Sequence, residues 1–157
     1  MNDRPARGAL DSAQAQRIAD HVRRGMLSGD RASQSLGMRV VAMTPGTATL
    51  AMTVRADMLN GFDICHGGFI TTLADSAFAF ACNSGNEFTV AAGLTVDFLA
   101  AAREGDVLTA HAEQVSHAGR TGVYDIVVTN QHGQRIALVR GRASRVQGRP
   151  SVPGEAA

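Results

Sequence analysis

The sequence predicts an α+β domain in which one antiparallel sheet wraps around one long helix. Two observations carry this. The stretch His66–Asn83, HGGFITTLADSAFAFACN, sets apolar residues at Phe69, Ile70, Leu73, Ala74, Ala77, Phe78, Phe80 and Ala81. That is helical spacing with an apolar surface wider than one stripe, so the helix has to be enclosed. Around it lie short segments of alternating polarity bounded by glycine and proline, the pattern of antiparallel strands. A sheet that hides the helix in its concave side is the economical packing of the two.

The elements follow in order. Met1–Leu10 is polar, with Pro5 and Gly8, and reads as a flexible N-terminus. Asp11–Leu27 is helical, capped by Asp11 or Ser12 and stopped by Gly29. Leu36–Met43 and Thr47–Val54 form a hairpin across Pro45-Gly46. Arg55–Cys65 is a loop containing the turn signal Asn60-Gly61. After the long helix come strands over Thr89–Leu99, Val107–Ser116, Thr121–Asn130 and Arg135–Arg145. On the first of these, Val90, Ala92, Leu94, Val96 and Phe98 share one face. Residues 146–157 hold two prolines, two glycines and few apolar side chains, so a flexible tail is expected. The expected organisation is one domain over 11–145.

Composition excludes several classes. The net charge of +1 leaves no electrostatic drive toward nucleic acid. No apolar run is long enough to span a bilayer, and no signal core opens the chain. Cys65 and Cys82 make neither a disulfide framework nor a metal spacing. A reducing cytoplasm is the expected compartment. All fifteen basic residues are Arg, which suits planar recognition of phosphate or carboxylate.

The long helix carries the chemistry. Gly67 and Gly68 open it, where backbone N–H groups lack intrahelical partners and favour an oxyanion. Asp75 is the one acidic residue between Ile64 and Asn86. A carboxylate in such a helix is costly unless paired or held for chemistry. It lies eight positions past Gly67, about 12 Å along the axis at ~1.5 Å per residue. One carbonyl carbon cannot touch both, so a shared reaction requires a second copy of the chain. His66 is a candidate base or, through hydrogen bonding, an orienter of the loop. Cys65 beside it reads as a small buried thiol rather than a nucleophile. Asn60 serves either the turn or the site. Arg120, Arg142 and Arg145 are either a solvated strand face or phosphate ligands.

MLNGFDICHGG (Met58–Gly68), LADSAFAFACNS (Leu73–Ser84), TVDFL (Thr95–Leu99), GRTGVYDI (Gly119–Ile126) and RGRASR (Arg140–Arg145) resemble the hotdog-fold thioesterases, and among them the phenylacetic-acid-degradation family PaaI. The resemblance implies a hotdog subunit, a homodimer with two shared sites, and a homotetramer built from two dimers. It implies hydrolysis of acyl-coenzyme A, with aryl-acetyl or hydroxylated aryl-acetyl groups, and no cofactor, coenzyme A being part of the substrate. By the same resemblance Gly67 polarises the thioester carbonyl, Asp75 of the partner subunit is base or nucleophile, and Asn60 places water or substrate. Gly68, Ala91 and Gly93 are candidate substrate-binding residues. His117, Gly119, Arg120, Thr121, Gly122 and Arg142 hold coenzyme A. Some relatives carry a hydroxyl residue near Ala91–Gly93; here the nearest is Thr95. Two other activities are weighed. A hotdog hydratase carries Asp and His five apart, whereas Asp63 and His66 are three apart. A non-catalytic acyl-CoA binding module needs no lone carboxylate.

Overall fold

In the computed structural model residues 11–154 are described. The expectation for Met1–Leu10 lies outside them. Helix α1 (Ser12–Gly29) begins where the Asp11 side chain accepts the Gln14 N–H at 2.6 Å. Asp30 closes α1 and also caps α2 (Arg31–Ser35), accepting from Ser33 N–H at 2.9 Å and Ser33 Oγ at 2.6 Å. Gly37, at φ +66, is the left-handed stop behind α2. Leu36 and Gly37 thus finish a helix, and the first strand starts later than the alternation indicates.

The strands are β1 (Arg39–Thr44), β2 (Thr47–Thr53), β3 (Thr89–Phe98), β4 (Val107–Ala118), β5 (Thr121–Thr129) and β6 (Arg135–Arg145). They form one sheet in the order β1-β2-β4-β5-β6-β3, antiparallel throughout. Helix α3 (Gly67–Asn83) lies against the inner face and meets every strand. Leu73, Phe78 and Phe80 on α3 are fully buried among Leu50, Met52, Leu108, Ile126, Val128 and Ile136. This is the hotdog arrangement expected. Close approach depends on small residues: a Cβ on Gly141 of β6 would sit 2.9 Å from the Phe78 ring.

Two expectations change on contact with the structure. A bulge between Ala91 and Gly93 resets the alternation of β3, so that Ala91, not Ala92, stands opposite the buried Ala143. The segment 146–154 differs from the flexible tail expected of it. Val146 N–H donates to the Phe88 carbonyl at 2.8 Å and Phe88 N–H to the Arg149 carbonyl at 3.0 Å. Val152 is partly buried against the core. Long-range amide contacts, invisible to local composition, hold it.

Gly141→Ala should lose about 1–3 kcal/mol of stability by overpacking against Phe78. Urea unfolding checks this, and adding Phe78→Leu should make the pair less destabilised than the sum of the single changes.

Candidate active site

The loop before α3 is tied in place by its backbone. His66 N–H donates to the Met58 carbonyl and Cys65 N–H to the Ala102 carbonyl, both at 2.8 Å. Asn60 N–H donates to the Ile64 carbonyl at 2.9 Å, and Asn60 Oδ1 accepts from Phe62 N–H at 2.9 Å. His66 is the N-cap of α3: its Nδ1 accepts from Gly68 N–H at 3.0 Å. The Gly68 donor is thereby occupied. The Gly67 N–H has no acceptor among the described residues and borders a cavity of about 650 Å³ lined also by Asn60, Cys65, His66, Thr71 and Phe98. The Phe98 ring lies where a side chain on residue 67 would stand, 2.7 Å from a Cβ built there. Any side chain at position 67 would therefore have to displace the Phe98 ring. The expected cap arithmetic of a helix start, one donor satisfied by a side chain and another left open, is what the site presents.

Asp75 opens into a different cavity. About 280 Å³ in volume, it is lined by Met26, Phe78, Ala79, Cys82, Phe88, Val90 and Ala91, with polar atoms from Asn83, Thr89 and Ser151. None of these residues borders the Gly67 cavity. The carboxylate is half-buried and has no hydrogen-bond or ion-pair partner among the described residues. Burial holds its pKa above the usual aspartate range. The nearby Cys82 thiol is pushed up to about 12, chiefly by burial, and stays protonated at neutral pH. Cys65 is buried too, and its pKa is raised by burial. Neither thiol is set up as a nucleophile.

A third cavity, about 380 Å³, is lined by His117, Arg120, Gly122, Tyr124, Arg145, Glu87 and Gln114 among others. It adjoins the Asp75 cavity through the shared residues Cys82 and Thr89. The β4–β5 hairpin turns on Gly119, at φ +60, and Ala118 pairs with Thr121. This aims Arg120 back at β6, where its Nε donates to the Arg145 carbonyl at 3.1 Å. Arg145 pairs with Glu87 at 2.5 Å. Arg120 has no acidic partner among the described residues, so its outer guanidinium nitrogens remain open to an anion.

Of the residues expected at the site, the structure groups Asn60, His66, Gly67 and Gly68 in one cavity, Asp75 and Ala91 in a second, and His117, Arg120 and Gly122 in a third. Gly119 and Thr121 shape the turn without lining it. Gly93 and Arg142 stand apart from all three. They face each other across β3 and β6 on the outer side of the sheet, with the guanidinium 2.6 Å from where a Gly93 Cβ would be. Thr95, the nearest hydroxyl by sequence, also lies on the outer side, beside Asp97 and Arg140. The hydroxyls that do line the Asp75 cavity are Thr89 and Ser151. Met26, Phe88 and Ser151 were not foreseen at the site. The apolar periodicity of α1 signals Met26 as a packing residue, but no local pattern signals the other two. Among the described residues there is no group of three or more His, Cys, Asp and Glu able to hold a metal ion. Nor is any described helix long and apolar enough to cross a membrane.

Known proteins share the sequence and the fold. The Thioesterase superfamily model matches residues 62–137. The acyl-coenzyme A thioesterase PaaI of Escherichia coli is 47% identical over 132 residues, covering 83% of this chain and 92% of that protein. The solved structure of the Escherichia coli PaaI protein, from the phenylacetic acid degradation operon, superposes with a TM-score of 0.84 at 41% identity, covering 86% of this chain and 98% of the other. A Streptococcus mutans protein bound to acetyl-CoA superposes with a TM-score of 0.67 at 26% identity, covering 69% of this chain and 88% of the other. With an enclosed α3, an open donor at its first glycine and an unpaired carboxylate along it, the chain belongs to the PaaI family of hotdog-fold acyl-CoA thioesterases and is a thioester hydrolase.

Proposed function

We propose that the protein hydrolyses aryl-acetyl-CoA type thioesters at sites built from two copies of the chain, Gly67 from one and Asp75 from the other. The observation that carries this is the unpaired Asp75 carboxylate in an apolar cavity, on a helix whose start offers the open Gly67 N–H. The thioester carbonyl oxygen accepts from Gly67 N–H, where the helix terminus favours the charge that develops. Asp75 takes a proton from water as its oxygen bonds to the carbonyl carbon. The C–S bond then breaks, the coenzyme thiolate takes the proton, and the free acid leaves. A carboxylate whose pKa burial has raised is a stronger base than a surface one. His66, with Nδ1 committed to Gly68, holds the loop, and Asn60 shapes it.

The acyl reading rests on the Asp75 cavity. Its lining is dominated by Met26, Phe78, Phe88 and Val90, and its volume is at the small end of ligand pockets, roughly 300–1,000 Å³. It suits a single ring better than a long chain. Arg120, with His117 and Gly122, borders the adjoining cavity and is placed for the coenzyme's phosphates. The second copy is expected along β3. This ten-residue edge strand exposes Val90 and Phe98, with Leu99 exposed just beyond it, and edge strands of that length need pairing or protection. A homotetramer of two such dimers follows the family pattern. Two free cysteines fit a reducing, cytoplasmic setting, and water is the only co-reactant needed.

Asp75→Asn should lower turnover of phenylacetyl-CoA by about 10²–10⁴-fold, read as thiol release, with the fold intact. Near-normal hydrolysis refutes the role. Because burial raises the Asp75 pKa, the acid limb of kcat/KM should fall at a pH above the ordinary value of 3.8. Linkage has the matching sign. A charged, buried Asp75 opposes folding above its folded pKa, so Asp75→Asn should melt higher at pH 7, with the gap closing as pH falls below the ordinary range. Arg120→Ala should raise KM for the CoA ester by about tenfold or more, as for loss of a charged hydrogen bond, with little change in kcat.

A further inference from the structure

The Asp75 cavity is completed by residues from far along the chain. Met26 comes from α1 and Ser151 from the segment that follows β6. That segment is held by a set of specific contacts. The Arg149 guanidinium lies 4.2 Å from the centre of the Phe88 ring. Asn86 clamps Val152 from both sides: its Oδ1 accepts from Val152 N–H at 2.8 Å and its Nδ2 donates to the Val152 carbonyl at 3.1 Å. Ser151 Oγ donates to Asn83 Oδ1 at 2.6 Å, the same oxygen that accepts from Thr89 N–H at 2.9 Å. The Val152 side chain sits against Gly25 of α1, 2.3 Å from where a Cβ would be. The segment is thus wedged between α1 and the turn joining α3 to β3.

We propose that Ser151, held in place by the anchored segment 149–152, closes the Asp75 cavity and sets how large an acyl group is admitted. This rests on the reading of that cavity as the acyl site. Phe78, Ala79, Cys82 and Asn83 come from α3, and Thr89, Val90 and Ala91 from β3, elements positioned by the sheet. The rest of the lining is supplied by Met26, Phe88 and Ser151, and of these Ser151 is the smallest side chain. Its hydroxyl is locked to Asn83, which is itself buried and also donates to the Ala79 and Thr89 carbonyls, both at 2.9 Å. Ser151 therefore cannot yield without breaking contacts that order the end of α3. The inference is that acyl groups of one ring or a short chain fit, and longer chains meet the segment.

The test compares kcat/KM for acetyl-, phenylacetyl- and octanoyl-CoA in the full-length protein, in Ser151→Phe, and in a chain ending at Gln147. In Ser151→Phe the phenylacetyl-to-acetyl ratio should fall by about tenfold or more, as a filled apolar pocket discriminates. In the shortened chain the octanoyl-to-phenylacetyl ratio should rise by a similar factor. Ratios within about twofold of the parent in the folded variants overturn the proposal. If the shortened chain fails to fold, Ser151→Phe decides alone. Asp75→Asn separates the two readings: it should lower all three substrates together, while Ser151→Phe and the shortened chain change only their ratios. A fully active Asp75→Asn would remove the catalytic reading and leave the size-selection result standing on its own.

Discussion

The helix α3 is a rigid ruler, and the site is built on that rigidity. Gly67 and Asp75 are fixed eight positions apart, about 12 Å at ~1.5 Å per residue, and no side-chain motion shortens the distance appreciably. Enclosure by the sheet prevents the helix from bending to help. The two groups open into cavities with no residue in common. In the proposed reading a single subunit offers two halves of a site: a donor without a base at one end, and a base without a donor further along. Edge strand β3, with its exposed apolar side chains, is where the proposed reading brings complementary halves together.

Each half is stabilised locally. At the helix start, His66 satisfies one orphan donor and leaves its neighbour open, while the Phe98 ring occupies the space over Gly67. A larger residue at 67 would displace that ring. At Asp75 the protein accepts a half-buried carboxylate with no partner among the described residues, a feature that opposes folding. The Asp75 cavity and the cavity beside Arg120 meet at Cys82 and Thr89. This places the Asp75 carboxylate and the Arg120 guanidinium on neighbouring walls of one subunit, while the Gly67 N–H borders a separate cavity.

Much of the fold was legible because it is encoded locally. The apolar pattern from Phe69 to Ala81 defined α3, the cap of α1 was narrowed to Asp11 or Ser12, and the turn at Gly133 introduced β6 over Arg135–Arg145. The donor and the lone carboxylate were legible for the same reason, since glycine pairs and isolated charges stand out in an apolar run. What was not legible depends on long-range geometry. Five residues of α2 are too few to show a period. The bulge at Ala91–Gly93 changes which residues face inward, and it sends Gly93 to the outer side with Arg142. The segment after β6 looks unstructured by composition, yet Asn83 and Asn86 bind it from more than sixty positions away. Ser151 could be found only once those amides were seen to hold it.

The claim that two copies share each site is tested most directly by mixing two inactive variants. Asp75→Asn removes the base. Gly67→Pro removes the donor at a helix position that tolerates proline, after a His66 whose ψ of 132° suits a following proline. Phe98→Ala in that second chain makes room for the ring. Phe98→Ala alone is the control that separates loss of the ring from loss of the Gly67 donor. Hybrid dimers formed by co-folding equal amounts carry one site with both defects and one with neither, so the mixture should recover about a quarter of the parental rate. A mixture as inactive as its two components would contradict the shared site.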